Sequence, residues 1–404
     1  MKTSKNSIVF LNSNSDSEPN LMAVGVHEEY VLNGGHDFDS LDVFVKKHKK
    51  WVFGFMSYDL KNQVENLTSE NNDGLSFPEM CFFVPKVVFQ MNNDDSFEIL
   101  ANYDQEFSEN INPFDLLKPE PNNEDIHLSF NSRTPKEKYL SDVTGILKHI
   151  QRGDIYEANY CVEFFQENIS LAPLATYNAA NDMTSAPYSC YFQHNEIHAI
   201  CCSPELYLEK EGSRLVSKPI KGTVKRGDNE AEDEKLKLQL LADEKERSEN
   251  VMIVDLVRND LSKTAKKSSV KVDELFGIYT FKTLHHMIST VSSEIKEGVE
   301  NSEIIKTTFP MGSMTGAPKI SAMKIIEKFE ESKRGLYSGA IGFFTPEGDF
   351  TFNVVIRSLL YNSEKKYLSL MAGGAITASS KPESEYRECL LKVSALKKAV
   401  HAID

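Results

Sequence analysis

No stretch of the 404-residue chain is apolar for long enough to cross a bilayer, and its opening, MKTSKNSIVF, holds no run suited to a signal peptide. Basic residues are scarce: 45 lysines and arginines stand against 60 aspartates and glutamates, a formal net charge of −15. Sequence-independent binding to nucleic acid or to an anionic membrane needs a basic footprint, so neither is expected as a partner. A local basic pocket for a small anion remains compatible with the overall charge. The six cysteines form no CxxC pair and most lie in apolar stretches, which points to reduced core thiols in a cytoplasmic protein. GxGxxG and Walker-type loops are absent, so no nucleotide is indicated.

What is present suits a globular chain with a sizeable core: 40% of residues are hydrophobic and 26% charged. Short β-branched and aromatic runs, WVFGFMSYDL (51–60) and CFFVPKVVFQM (81–91), read as strands. A polar, proline-bearing stretch, 112–127, reads as a boundary between a β-rich segment (1–125) and a second unit (130–404). There a helix is expected to start with Thr134 as N-cap, Pro135 at the first helical position and Glu137 completing a capping box, and to end at Gly153. SCYFQ and IHAICCS look like paired strands. Residues 231–261 read as helical with a break near Ala242–Asp243. GAIGFFTPEGDFTFNVVIRSLLY signals a hairpin turning at Pro346–Gly348, and a last helix closes the chain. The pattern is α+β with much antiparallel sheet.

Several residues carry chemical potential. Glu246 and Glu249, and again Glu385 and Glu388, are three apart on expected helices, so each pair shares a face. Two such pairs facing each other would offer oxygen donors to a hard cation such as Mg²⁺; solvated helix faces show the same pattern. Lys392, four residues after Glu388, suits an ordinary helical ion pair or a contact to a substrate carboxylate. Strict alternation along a strand would put Thr351, Asn353, Val355 and Arg357 on one face, leaving Arg357 to a buried ion pair or a carboxylate clamp. FPMGSMTGAPK (309–319) and MAGGAIT (371–377) would let backbone N–H groups approach a ligand oxygen, the second by interrupting a strand. His286 follows an apolar-aromatic strand and suits a structural role or proton chemistry. SKPIKGTVKRG (217–227) sets Lys221 at a strand end before a Gly-Thr pair and a basic cluster.

In their order along the chain, SPELYL, PIKGT, ERSENVMIVDLVRNDL, FPMGSMTGAPK, LYSGAIGFF, FNVVIRSLL and ESEYRECLLK resemble the chorismate-utilising enzymes, strongly over about 130–404 and weakly before. The family includes anthranilate, aminodeoxychorismate, isochorismate and salicylate synthases. The resemblance implies an anthranilate synthase component I-like α/β sandwich, two large antiparallel sheets facing each other with helices outside and the active site in a cleft. The 1–125 segment would pack on the same sandwich, and 130–404 would be the chorismate-binding catalytic domain. It further implies Glu205 as general acid/base at the leaving hydroxyl, Glu249 and Glu388 as Mg²⁺ ligands, and Glu246 and Glu385 as partners holding the ion, partly through water. Arg357, Tyr337 and Lys392 match groups around the substrate carboxylates; Thr223, His286, Ser313 and Gly373 match pocket residues.

Within that family Lys221 separates activities. Anthranilate synthases usually read PIAGT, whereas aminodeoxychorismate synthases commonly read PIKGT, as here. In the latter the lysine is thought to attack C2 of chorismate and expel the 4-hydroxyl, after which ammonia enters at C4. Partial burial and the nearby Lys225 and Arg226 are expected to lower the Lys221 pKa toward the neutral amine, with Mg²⁺ adding to this. Glu157 stands where isochorismate and salicylate synthases carry a water-activating lysine and amidating members usually carry glutamine. Ala375 replaces a frequent third glycine. No glutaminase cysteine is evident in 1–130, so ammonia is expected from a separate glutamine amidotransferase subunit. The implied activity is 4-amination of chorismate on the route to para-aminobenzoate and folate; 2-amination or a non-catalytic chorismate-binding subunit are the alternatives.

Overall fold

Where alternation or a short apolar run meets a turn residue, the chain forms strands, and these assemble into two antiparallel sheets of 11 and 10 strands. The computed structural model describes residues 7–15, 18–32, 38–92, 94–108, 111–119, 128–400 and 402–403. The last part of the expected boundary, 120–127, lies outside the described residues. Strands from the first hundred residues join both sheets: Ile8–Asn12 pairs with Tyr188–His194 in the larger, and Val52–Met56 pairs with Ala340–Phe344 in the smaller.

One core lies between the sheets. Phe55 of the smaller sheet meets Phe192 of the larger edge-on, with ring centroids 5.2 Å apart. Phe53, Phe82 and Phe83 are fully buried beside them. Each such ring contributes about 1.5–3 kcal/mol on burial. A second core, containing Tyr160 and Leu370, fills the other face of the larger sheet. It is covered by the helices Lys136–Arg152, Pro173–Thr184, Lys319–Phe329 and Pro382–Ala399. The four apolar positions Tyr139, Val143, Ile146 and Val393 on two of these helices are buried there, as helical spacing requires.

Several strand-like stretches of sequence pass from one sheet to the other. CFFVPKVVFQM splits at Pro85-Lys86 into Met80–Val84 of the smaller sheet and Val87–Met91 of the larger. Proline has no N–H for the ladder, so pairing ends there. Ile197–Ser203 of the larger sheet gives way at Pro204-Glu205 to Leu206–Glu211 of the smaller. The expected hairpin forms, but its second strand is only Phe350–Asn353; after it the chain crosses to Ser358–Asn362 of the larger sheet. Residues 354–357 belong to neither strand, and Arg357 adopts φ +52°. Arg357 therefore stands on a crossing, not on the face of a strand with Thr351 and Asn353.

Other local expectations shift slightly. The 136–152 helix starts one residue late, with Pro135 as cap and no side-chain cap hydrogen bond; Gly153 ends it at φ +83°. The break at Asp243 is present. Asp243 closes Glu230–Ala242 and caps Glu244–Thr264, its side chain accepting from the Glu246 N–H. MAGGAIT does not interrupt its strand: Tyr367–Ile376 is continuous and pairs with Glu157–Gln166. Gly373 is needed for that approach, because a Cβ there would stand 2.2 Å from the Tyr160 carbonyl oxygen.

Candidate active site

Lys221 does not end a strand. It lies inside Ile220–Lys225, where the register against Leu284–Glu294 slips between Ile220↔Ile288 and Thr223↔His286. Lys221 and Gly222 together oppose Met287, a bulge that re-aims the lysine. Gly222 takes φ +90°, and a side chain there would crowd Glu246, whose Oε2 is 3.2 Å from the position of a Cβ. The Lys221 Nζ donates to Glu157 Oε1 at 3.0 Å. Glu157 opens the strand Glu157–Gln166 and is fully buried; its Oε2 has no hydrogen-bond partner.

Among the chain's own groups, the balance on Lys221 runs against the sequence expectation. Burial lowers its pKa, but Glu157, Glu249 and Glu205 outweigh burial and carry it above the ordinary lysine value. Arg226 does not counter them. It is held by Asp233, to which its Nε and Nη2 each donate at 2.9 Å, and by the Phe281 carbonyl.

Glu205 sits on the crossing after Pro204 and is buried. Its N–H donates to Ser203 Oγ at 3.1 Å, and its carbonyl accepts from Val354 N–H at 3.0 Å. The Arg357 carbonyl in turn accepts from Cys202 N–H at 3.0 Å. The two crossings are thus tied together, which fixes Glu205 and Arg357 relative to each other. Burial pushes the Glu205 carboxyl up to about 7, although Ser313 and Lys221 pull it down. Glu205 and Ser313 line one cavity of about 20 Å³, enough for a single water. The Ser313 hydroxyl is buried beside the Glu205 carboxyl.

His286 lies within the strand Leu284–Glu294 instead of after it. Its Nδ1 and Thr223 Oγ1 are 2.9 Å apart. Burial, with Arg357 and His285 nearby, takes its pKa down to about 3, so the ring is neutral. The Arg357 guanidinium has no ion pair among the described residues; burial lowers its pKa, and Tyr337 and Glu388 oppose that. Tyr337 is itself buried and its hydroxyl strongly resists ionisation because of that burial. This side is braced by Arg334, whose Nη1 donates to the Met314 carbonyl and Nη2 to the Asn159 carbonyl, both at 2.7 Å.

The carboxylates come from two helices. Glu246 and Glu249 stand on Glu244–Thr264, Glu385 and Glu388 on Pro382–Ala399. Lys245 spans them, with Nζ 3.7 Å from Glu249 Oε1 and 3.9 Å from Glu385 Oε1. Lys392 donates to Glu388 Oε1 at 2.7 Å and to the Gly373 carbonyl at 2.9 Å. The opposite face of this cluster is Gly374, whose missing Cβ would lie 3.7 Å from both Glu385 and Glu388. Burial raises Glu249 to about 7 and raises Glu246; it would raise Glu388 too, but Lys392 and Lys245 bring that carboxyl below its ordinary value. Among the described residues no three such side chains are gathered closely enough to ligate an ion as they stand. In kind they fit one: the donors are all oxygen, and Glu249 Oε1 is buried without a hydrogen-bond partner.

Thus Lys221, Glu205 and Glu249 share one electrostatic neighbourhood, and Arg357, Tyr337 and His286 form another next to it. Two features were missed in the sequence. The i,i+4 spacing of Lys245 and Glu249 gives no hint of the contact to Glu385 on a second helix, and nothing local links Glu157 to a lysine 64 residues away.

A family model described as chorismate binding enzyme matches residues 8–398. The "Aminodeoxychorismate synthase component 1" of Bacillus subtilis (strain 168) is 32% identical over 368 residues, covering 86% of this chain and 76% of the relative. The "Probable aminodeoxychorismate synthase, chloroplastic" of Oryza sativa subsp. japonica is 35% identical over 387 residues, covering 86% of this chain and 43% of the relative. This chain therefore spans less than half the length of the rice relative. Curated anthranilate synthase components match at comparable identity. A solved anthranilate synthase component I from Streptococcus pneumoniae TIGR4 superposes with a TM-score of 0.81 at 24% identity, covering 95% of this chain and 93% of that one, and has the same fold. No helix among the described residues is long and apolar enough to cross a membrane.

Proposed function

This chain belongs to the chorismate binding enzymes, and from that premise we propose that it forms 4-amino-4-deoxychorismate from chorismate and ammonia. The observation that carries this reading is Lys221. A buried amine on a strand bulge, near the raised carboxyl of Glu205, stands where anthranilate-type sequences read alanine.

The proposed chemistry uses an amine nucleophile and a carboxylic acid. The neutral Lys221 nitrogen bonds to C2 of the ring, the diene shifts, and the C4–O bond breaks. Glu205, protonated over much of the neutral range, gives its proton to the departing hydroxyl, which leaves as water. Ammonia then bonds to C4, the diene shifts back, and the C2–N bond to lysine breaks. Arg357, Tyr337 and Lys392 would meet the substrate carboxylates, with Thr223, His286, Ser313 and Gly373 lining the pocket. Glu249 and Glu388 would hold Mg²⁺, with Glu246 and Glu385 partly through water; when bound, the ion neutralises substrate carboxylate charge in this acidic site. Ammonia would come from a separate glutamine amidotransferase subunit, and the product would feed para-aminobenzoate and folate synthesis.

The test is product identity. The purified protein, given chorismate, Mg²⁺ and ammonium at alkaline pH, should yield a product with the mass of 4-amino-4-deoxychorismate that an aminodeoxychorismate lyase converts further. Anthranilate as the main product would overturn the reading. Glutamine should replace ammonium only after a partner glutaminase is added.

A further inference from the structure

Glu157 has no role in the chemistry above, yet it is the most completely buried carboxylate beside the reacting amine. It is 0% exposed; Oε1 accepts from Lys221 Nζ at 3.0 Å and Oε2 has no partner. The Lys221 Nζ donates to a carboxylate oxygen at 3.0 Å, the arrangement of an ammonium, and an ammonium has no electron pair with which to attack. Some group must take its proton, and Glu157 is the group hydrogen-bonded to that nitrogen.

We propose that Glu157 is the proton acceptor that frees the Lys221 amine through their 3.0 Å contact. This rests on Lys221 being the nucleophile. The N–H bond of the ammonium breaks and its electron pair stays on nitrogen. The proton passes to the Glu157 carboxylate, and a buried ion pair becomes a neutral amine beside a neutral acid. The amine then attacks the ring as described, and when the C2–N bond breaks the lysine recovers the same proton from Glu157. No proton enters or leaves through solvent in this exchange. Because the proton only changes places within the pair, the fraction of free amine does not depend on pH while the two groups share that one proton. A lysine facing a neutral partner would behave differently: its free fraction would rise tenfold per pH unit until its own pKa.

The other charged groups facing Lys221 are Glu205 from the sheet crossing, Glu246 and Glu249 from the Glu244–Thr264 helix, and Glu388 from the Pro382–Ala399 helix. Glu249 feels the Glu157 charge, so its titration shifts in Glu157→Gln, and Glu157→Asp, which keeps the charge, is the control for that shift.

The experiment mixes enzyme, Mg²⁺ and chorismate without ammonia, quenches rapidly and follows the Lys221 adduct by intact mass between pH 6 and 9. For Glu157→Gln, adduct formation at pH 7 should be slower by about 10²- to 10⁴-fold, the usual range for losing a general base. The variant-to-parent ratio should then climb about tenfold per pH unit. Glu157→Asp, which keeps a carboxylate, should give a ratio that does not change with pH, and it serves as the readout should the glutamine variant fold poorly. A pH-independent ratio for Glu157→Gln, a variant faster than the parent at pH 7, or an aspartate ratio that climbs with pH overturns the proposal. No adduct in the parent would instead remove the nucleophile role of Lys221, and this inference with it.

Discussion

Lys221, Glu157 and Glu205 stand on strands and a sheet crossing, whereas Glu246, Glu249, Glu385 and Glu388 stand on two helices that Lys245 bridges only at 3.7 and 3.9 Å. On the first side the contacting side chains are nearly dry: Lys221 is 12% exposed and Glu157 1%. Backbone hydrogen bonds from Val354 and Cys202 lock the crossings that carry Glu205 and Arg357. On the second side the bridging Lys245 is 40% exposed, and its long contacts are not hydrogen bonds. The difference is one of rigidity: backbone hydrogen bonds fix the first side, which suits the nucleophile and acid proposed there, and long side-chain contacts bridge the second, which suits the cation proposed there. A nucleophile and an acid must meet the substrate in fixed geometry, while a hard cation accepts variable carboxylate arrangements and water.

Substitutions that strike one side at a time test this division. Lys221→Ala should have the largest effect, removing the adduct and most 4-amination while Glu205 still activates the hydroxyl. Some anthranilate-type product is expected by direct ammonia addition at C2, read by product mass. A parent-level rate of 4-amination in this variant would remove the fixed side from the chemistry. Glu249→Gln should abolish Mg²⁺-dependent turnover and leave the fold intact, measured by activity across a Mg²⁺ series with a thermal melt as control; unchanged Mg²⁺ dependence would sink the ion-binding role of the helices.

Glu205→Gln should cost about 10²- to 10⁴-fold in kcat/KM. Its pH dependence has a definite sign. A donor must be protonated, so a carboxyl with a pKa raised to about 7 donates below that pH and loses the ability above it. The parent should show a descending limb near neutrality that the glutamine variant lacks; a limb of the same position in both would assign it elsewhere. The smallest effect is expected at the bridge. Lys245→Gln should change stability by about 0–1 kcal/mol, because the pair is long and substantially exposed. It should bind Mg²⁺ several-fold more tightly by calorimetry, since one competing cation is gone. Weaker binding would mean that Lys245 helps to assemble the ion site.

Most local structure was legible in the sequence. The hairpin at Pro346–Gly348, the pairing of Tyr188–His194 with Ile197–Ser203 and the helix break at Asp243 all follow from turn residues and periodicity. The family and its fold were legible from the order of the motifs, and the model match and the structural neighbour support both. Arg357 was misplaced because VVIRSLL keeps strand composition across a sheet crossing, and composition does not say which sheet a strand joins. The strand end assigned to Lys221 was wrong for a related reason: a bulge is a register event between two strands, decided partly by the partner.

By itself, then, the sequence determined most of the helices and turns, that each Glu pair would share a helix face, and which family the motifs resemble. These depend on residues a few positions apart, whose geometry the backbone period dictates. Only the tertiary structure decided the charge on Lys221. Its neighbours in sequence, Lys225 and Arg226, were expected to make it neutral; its neighbours in space, Glu157, Glu249 and Glu205, hold it protonated. A pKa is set by burial and by charges a few ångströms away, and chain separation carries no information about either until the sheets have packed.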